Sequence, residues 1–593
     1  MVQLTAVQSR ELQSKDSLVL RDENLALNIF EREQVVAVDT ETSGLSPWKD
    51  RIAVVTLNGQ QSGVTAVLHV RGGLSRRLIN FFNDPTKLFI GHNLVGFDLL
   101  FFAIAGVDIH SATWYDTLIG EQVCKMTDRR DVRFSLKAST LRQLGVQLKK
   151  DADHAGWMNP TLNDSQVDYC ADDVKYIHEL RTAQFAKAAE KGLEPALTTE
   201  MSLVPIVAQM TLNGLPINLE RLRSHLAAEE ERTNEALYSL WDTFGPINFG
   251  SSKQVLGALA SIGLDLRSSS ATTLKELISS GADQVGYLKD IIQVREGKKR
   301  TNQYSDEWIA KYVAADGCIH PRYWICGADT GRFTCSDPNM QQWPVNMRWV
   351  ISAPPNHRFL MADFKSAEVV VAAAISNDSA LLSAIKAGGD LHRNVGSQVF
   401  GVTPEAITTD QRKLAKAMNF CLLFGGWYQT FYEYARLAGS NITLEEAKTV
   451  EEQYFMTYRG IAAMKYKAEQ QSRRGGPVMM RLPTGLKRNL LPSTSGRVAK
   501  TKILNTAVQG TAAAGMKFAL IEAYKRGLIA TGIAGSVHDE IAGAIPSNQV
   551  EEVARELDES MVAGMKEAVS RMMPGAECPI SVDIKIGDDW RKE

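Results

Sequence analysis

The rhythm of apolar positions changes twice along the chain. Up to about residue 190, short β-branched runs alternate with helical stretches, the pattern of an α/β layer. Val35-Val36-Ala37-Val38 predicts a buried strand, with Ile52 to Leu57 and Thr65 to Val70 as its neighbours. From about 195 to 315 the sequence turns charged and mostly helical. Its interruptions at Asn213-Gly214-Leu215-Pro216, Phe244-Gly245-Pro246 and Ser268-Ser269-Ser270 predict long helices joined by turns. Asp316-Gly317 predicts a hairpin turn at the next border, and from about 318 strands and helices mix to the end. Three units are expected, 1–190, 191–317 and 318–593.

Composition adds exclusions. With 593 residues, 44% hydrophobic and 23% charged, the chain reads as an ordinary multidomain globular protein. It has no apolar run of membrane-spanning length, so no membrane partner is expected. The opening residues, Arg10, Glu11, Lys15 and Asp16 among them, resemble neither a secretory signal nor a transit peptide. Seven scattered cysteines fit a reducing cytoplasm. Cys318, Cys326 and Cys335 with His320 lack the Cys-x2-Cys pairing that would suggest zinc. A net charge of −2 does not exclude a nucleic-acid partner, because catalytic carboxylates cancel basic grooves in the sum. Basic clusters occur at Lys298-Lys299-Arg300, Arg412-Lys413, Arg473-Arg474, Lys487-Arg488 and Arg497 to Lys502. Each taken alone is more often a solvated face than a phosphate track.

Two groups of acidic residues carry the chemistry. Asp39 and Glu41, two apart at the end of an apolar strand, point to one face. Asp98 follows the turn Gly91 to Phe97, and Tyr169 and Asp173 share a helix face. Oxygen ligands so placed suit Mg²⁺, in a two-metal site that cuts a phosphodiester while Tyr169 orients the attacking water. In the second group, the apolar strand Phe359 to Ala362 ends at Asp363, and Glu368 opens the helix Val369 to Ile375. A hairpin is predicted with Ile533 to Val537 running in, His538-Asp539 at the tip and Glu540 to Ile545 running out. Asp363 and Asp539 would hold two Mg²⁺ ions across a triphosphate and a primer 3′-hydroxyl.

Between the parts of that second group lies a cationic helix. Thr408 and Gln411 have capping-box spacing, and Arg412, Lys416, Phe420 and Phe424 recur every four residues as one stripe. Leu414, Ala417, Met418, Cys421 and Leu422 form the inward side. Arg412 and Lys416 near the helix start suit phosphates, Phe420 suits the nucleotide's sugar and base, and Phe424 the template position.

These residues together resemble the family A DNA polymerases, preceded by a DnaQ-like 3′–5′ exonuclease. The motifs are Asp39-Thr40-Glu41, Thr330-Gly331-Arg332, Arg412-x3-Lys416-x7-Phe424-Gly425, Asn505-x3-Gln509-Gly510, Val537-His538-Asp539-Glu540, and Asn248-Phe249-x-Ser251 in the thumb. The resemblance runs from about 25 to Trp590. It implies a ribonuclease-H-like exonuclease domain in 1–190, a thumb with linking helices in 191–317, and a palm and fingers in 318–593, with fingers at about 404–495. It implies metal ligation by Asp363 and Asp539, Glu540 beside them among the catalytic groups, and Lys416 as the general acid toward pyrophosphate. Arg412 and His392 would contact the triphosphate, and Glu368 would exclude a ribose 2′-hydroxyl. Arg332, Asn505, Gln509 and His538 would lie along the primer-template minor groove, whose acceptors sit alike for either pair order.

The expected protein is a monomeric cytoplasmic DNA polymerase with proofreading. It would use two Mg²⁺ ions at each of two sites, with Mn²⁺ as a substitute, and bind primer-template DNA, dNTPs and a single-stranded 3′ end. The few residues before 25 leave no room for a 5′-nuclease domain, which points to a compact phage replicase. The 195–315 region shows no large insertion for a processivity partner. Two alternatives carry less of the sequence: an exonuclease with a non-catalytic DNA-binding half, and a repair rather than a replicative polymerase. Departures from the family pattern are Phe364 for Tyr, Val370 for Arg, Cys421 for Gly and Phe424 for Tyr, together with Thr501 for an Arg and a short Lys487-Arg488 in place of an arginine-rich stretch.

Overall fold

The computed structural model describes residues 13–14, 17–125, 132–148, 156–279, 281, 283 and 285–591; Arg10, Glu11, Lys15 and Asp16 lie outside them. In the N-terminal unit seven strands form one mixed sheet. Its order is Gln13–Ser14, Ser17–Leu20, Thr65–His69, Ile52–Gly59, Val35–Thr42, Leu88–Gly91 and Thr113–Asp116. The three strands expected from the apolar runs lie side by side in this sheet. Val35–Thr42 pairs antiparallel with Ile52–Gly59 and parallel with Leu88–Gly91, so its C-terminal end reaches the edge where the functional acids gather.

The 219–312 stretch is helical, as its charge pattern predicts. Leu219–Phe244 and Tyr287–Gln303 pack against each other over a core of their own, built on Leu237, Leu240, Phe249, Leu259, Leu288 and Ile291. Buried Glu229 crosses between them to Arg300 at 2.5 Å and also holds Arg232 at 2.7 Å. One member of the Lys298-Lys299-Arg300 cluster is therefore a structural cation. Lys487-Arg488 behaves similarly: Lys487 donates to the Lys191 carbonyl, and Arg488 donates to Thr506 Oγ1 at 2.6 Å. The turn at Asp316-Gly317 is present, closed by the bridge between Val313 and Ile319.

Ile533–Val537, Glu540–Pro546, His357–Phe364 and Val582–Gly587 make a four-stranded antiparallel sheet, in that order. Lys500–Lys525 and Val550–Met572 cross behind it. They approach so closely at Gly564 that a Cβ there would lie 2.2 Å from the Ala519 amide nitrogen. One continuous apolar core runs from the first sheet through Leu203, Ile206 and Val207 to the second sheet, joining the two halves. Among the described residues, no helix is long and apolar enough to cross a membrane.

Candidate active sites

Strand alternation brings the first acids together as expected. Carboxylate oxygens of Asp39, Glu41 and Asp173 all lie within 4.8 Å of one another. Asp173 arrives on the helix Asp164–Lys175, started by a capping box between Asn163 and Gln166. Tyr169 sits one turn earlier on the same helix. Burial pushes its hydroxyl well above the usual tyrosine range, and Asp173, Glu41 and Asp39 add to the effect. The hydroxyl therefore stays protonated at neutral pH, a hydrogen-bond partner for water rather than a base.

Asp98 is placed differently from the other three. It is buried, accepts from Thr40 Oγ1 at 2.6 Å, and falls outside the group of three whose oxygens approach so closely. Thr40 lies between Asp39 and Glu41 and points to the opposite face, which explains the offset. Burial raises the Asp98 carboxyl, with neighbouring Asp116 adding to it and the Thr40 hydrogen bond opposing. Asp116 fixes the preceding loop by accepting from the amides of Asn93 at 2.8 Å and Val95 at 3.2 Å.

A cavity of about 510 Å³ opens beside this cluster, lined by Asp39, Asp173, His92, Phe134, Arg322 and Trp324 among others. The last two belong to the strand Arg322–Trp324, in the C-terminal half. Arg322 donates to Asn93 Oδ1 at 2.5 Å and stacks 3.9 Å from the Trp324 ring. Sequence reasoning missed both, because about 150 residues or more separate them from the acids. Their Arg-x-Trp alternation on one strand face was the only local signal.

At the second site the hairpin forms as predicted. Val537 pairs with Glu540, leaving His538-Asp539 as a two-residue loop with His538 at φ 55°. Asp363 stands opposite Glu540 in the ladder, and the Phe364 amide donates to the Asp539 carbonyl at 3.1 Å. Burial pushes the Asp539 carboxyl up; Arg332 opposes, while Glu368 and Asp363 raise it further, so these four charges share one locale. Glu540 itself is buried. Its Oε1 accepts from Trp590 Nε1 at 2.5 Å, and Arg348 lies 3.5 Å away, stacked over the same indole.

The cationic helix spans Thr409–Cys421 and begins with the predicted Thr408–Gln411 capping box. Arg412 and Lys416 line its outer side, and Phe420 is 54% exposed, with its ring centroid 6.4 Å from that of His392. The helix stops short of the expected Phe424. Gly425, at φ 79°, follows in a left-handed turn, so Phe424 occupies the turn beyond the last helical residue. Asp390 caps the helix Leu391–Phe400 and holds Arg412 Nε at 2.6 Å. Asn419 Nδ2 faces His392 Nδ1 at 3.1 Å, which leaves the ring proton on Nε2. Burial lowers the His392 pKa, with Arg412 and Lys416 acting the same way and Asp390 opposing. Asn505 and Gln509 share a half-buried face of Lys500–Lys525, and His538 is exposed at the hairpin tip. Of the residues that depart from the family pattern, Val370 and Cys421 are buried apolar fillers.

Comparison with known proteins agrees with this geometry. Residues 217–592 match the model of DNA polymerase family A, and residues 19–184 match that of a 3′–5′ exonuclease. DNA polymerase I of Aquifex aeolicus is 27% identical over 96% of this chain and 98% of its own length. That of Pseudomonas aeruginosa is 28% identical over 95% of this chain but 64% of its own length. A structure titled as the POL domain of Pol1 from M. smegmatis with DNA primer-template and dNTP superposes with a TM-score of 0.77. It covers 96% of this chain and 99% of its own at 20% identity, a likeness of fold. The relatives named are bacterial, and the phage expectation has no counterpart among them. With the family model spanning more than half its length, the chain belongs to DNA polymerase family A and carries a 3′–5′ exonuclease domain ahead of the polymerase.

Proposed function

We propose that the chain extends a DNA primer with dNTPs chosen by a template, and shortens a single-stranded 3′ end at its N-terminal site. The observation that carries this reading is the meeting of strand-end Asp363 with hairpin-tip Asp539, in a chain that also carries a cationic helix with Phe420 exposed.

Both acidic sites offer only hard oxygen donors, and at the first the three carboxylates are close enough to share a cation. Such donors fit Mg²⁺, with Mn²⁺ as a substitute. Asp39, Glu41 and Asp173 would hold it at the first site, with Asp98 behind them, and Asp363 and Asp539 at the second. When bound, divalent ions supply charge stabilisation to a phosphoryl group in transfer.

The chain's own residues do the rest. Arg412, Lys416 and His392 Nε2 would present donors to a triphosphate, and Lys416 would give a proton to departing pyrophosphate. Phe420 stacks on the incoming nucleotide and Phe424 abuts the template. Glu368 fills the space a 2′-hydroxyl would need. Arg332, Asn505, Gln509 and His538 test pair geometry from the minor groove. Glu540, tied to Trp590 and Arg348, steadies the hairpin that carries Asp539. In the exonuclease, Tyr169 orients the attacking water, and the cavity beside it receives the strand end. The working unit is a monomer on primer-template DNA.

Primer extension on a labelled hairpin tests this directly. Asp363→Ala and Asp539→Ala should each lower dNTP addition by about a thousandfold or more while single-strand degradation continues. Extension at the wild-type rate by either variant overturns the assignment.

A further inference from the structure

Arg332 and Glu368 enter the proposed function with separate tasks, yet they touch. Arg332 Nη2 donates to Glu368 Oε1 at 2.8 Å, with the two side chains 28% and 23% exposed. Arg332 follows Gly331, whose left-handed φ of 81° turns the loop toward the palm. Glu368 lies in the first turn of Ala367–Ser376, where the helix dipole favours a carboxylate. Neither Val370 nor Phe424 carries a polar side-chain atom to serve Glu368 instead. Arg332 Nε is buried and meets no protein acceptor among the described residues. The guanidinium thus has one arm, Nη2, committed to Glu368.

We infer that Arg332 is a positioning residue for sugar selection: it fixes the Glu368 carboxylate against the incoming sugar and couples that setting to the primer end. The inference rests on the polymerase reading above. Excluding a 2′-hydroxyl requires a carboxylate held in one rotamer, and a charge-assisted hydrogen bond supplies that restraint. The remaining donors of the fork can reach the minor-groove acceptors of the terminal pair. A mispaired primer end shifts those acceptors, draws the guanidinium away and loosens the gate. Ribonucleotide exclusion should then weaken on a mispaired primer.

The test compares kcat/KM for a dNTP and the matching rNTP in wild type, R332Q, R332K, E368A and the double variant R332Q/E368A. R332Q should narrow the dNTP/rNTP ratio by about tenfold. R332K should narrow it in the same direction, because Lys keeps the charge but lacks the planar fork. In the E368A background R332Q should change the ratio by less than about twofold, since the carboxylate it held is gone. If R332Q does not fold, R332K with an unaltered melting transition carries the same comparison. An equal loss for both nucleotides, leaving the ratio unchanged, overturns the inference and leaves Arg332 a DNA-binding residue only. A tenfold narrowing that persists without Glu368 overturns it too. Failure of the wild type to add any dNTP would instead sink the polymerase reading.

Discussion

Tyr169 shows how one side chain's surroundings choose its chemistry. Its hydroxyl sits among three carboxylates and is partly buried, and both effects keep the proton on. Tyr169→Phe should therefore slow 3′-end hydrolysis by about tenfold, the worth of one lost hydrogen bond to water, and leave primer extension unchanged. The exonuclease pH profile should show no tyrosine limb up to pH 10, the ordinary value. A limb below that pH, or an unaffected Tyr169→Phe, would contradict the orienting role. Glu368→Ala should admit ribonucleotides in extension assays; unchanged discrimination would count against the gate. Residues of this kind were legible in the sequence because their spacing is local: Asp39 with Glu41 by strand alternation, Tyr169 with Asp173 by helix repeat. Arg322 and Trp324 were not legible, because tertiary packing alone brings them to the exonuclease cavity.

Among the elements, those with written start and stop signals were read best. The capping box Thr408–Gln411 fixed the start of the cationic helix, and the two-residue loop at His538-Asp539 fixed the hairpin register. The helix end was misread, because the four-residue stripe continues to Phe424 while the Gly425-Gly426 pair breaks the backbone after Cys421. Stability at this scale turns on Glu229, between Leu219–Phe244 and Tyr287–Gln303. Burial alone would raise its carboxyl, but hydrogen bonds from Arg232 and Arg300 outweigh it and hold the pKa at about 2. A depressed carboxyl stabilises fully above its ordinary value of 4.5 and loses that contribution as pH falls through about 2. Glu229→Ala leaves Arg300 without its buried partner and should cost the helical unit about 3 kcal/mol. Its denaturation midpoint at neutral pH reports this, and an unchanged midpoint would contradict it. The gap from wild type should close as pH falls toward 2.

Over the whole molecule the two catalytic halves share a core, whereas the helical unit has its own. Lys517 on Lys500–Lys525 meets Glu200 on the connecting helices at 2.7 Å, and both side chains are fully buried. His110, in the turn before the strand Thr113–Asp116, joins Tyr524 at 3.0 Å and Gln209 at 2.9 Å across the same junction. Extension and 3′-end hydrolysis should accordingly be lost in one heating transition, shifted downward together by Lys517→Ala. Two separate inactivation temperatures would show that the halves unfold independently. The alternation of strand and helix patterns disclosed two catalytic segments, but not that one core binds them, since contacts between distant segments leave no period in a sequence.

The central claim is that one chain holds two divalent-cation sites built from separate carboxylate groups. Anomalous diffraction from crystals grown with Mn²⁺, primer-template and a non-hydrolysable dNTP analogue tests it most directly. Peaks should stand between Asp363 and Asp539 and also among Asp39, Glu41 and Asp173. A map with density at the N-terminal acids and nothing between Asp363 and Asp539 would contradict it.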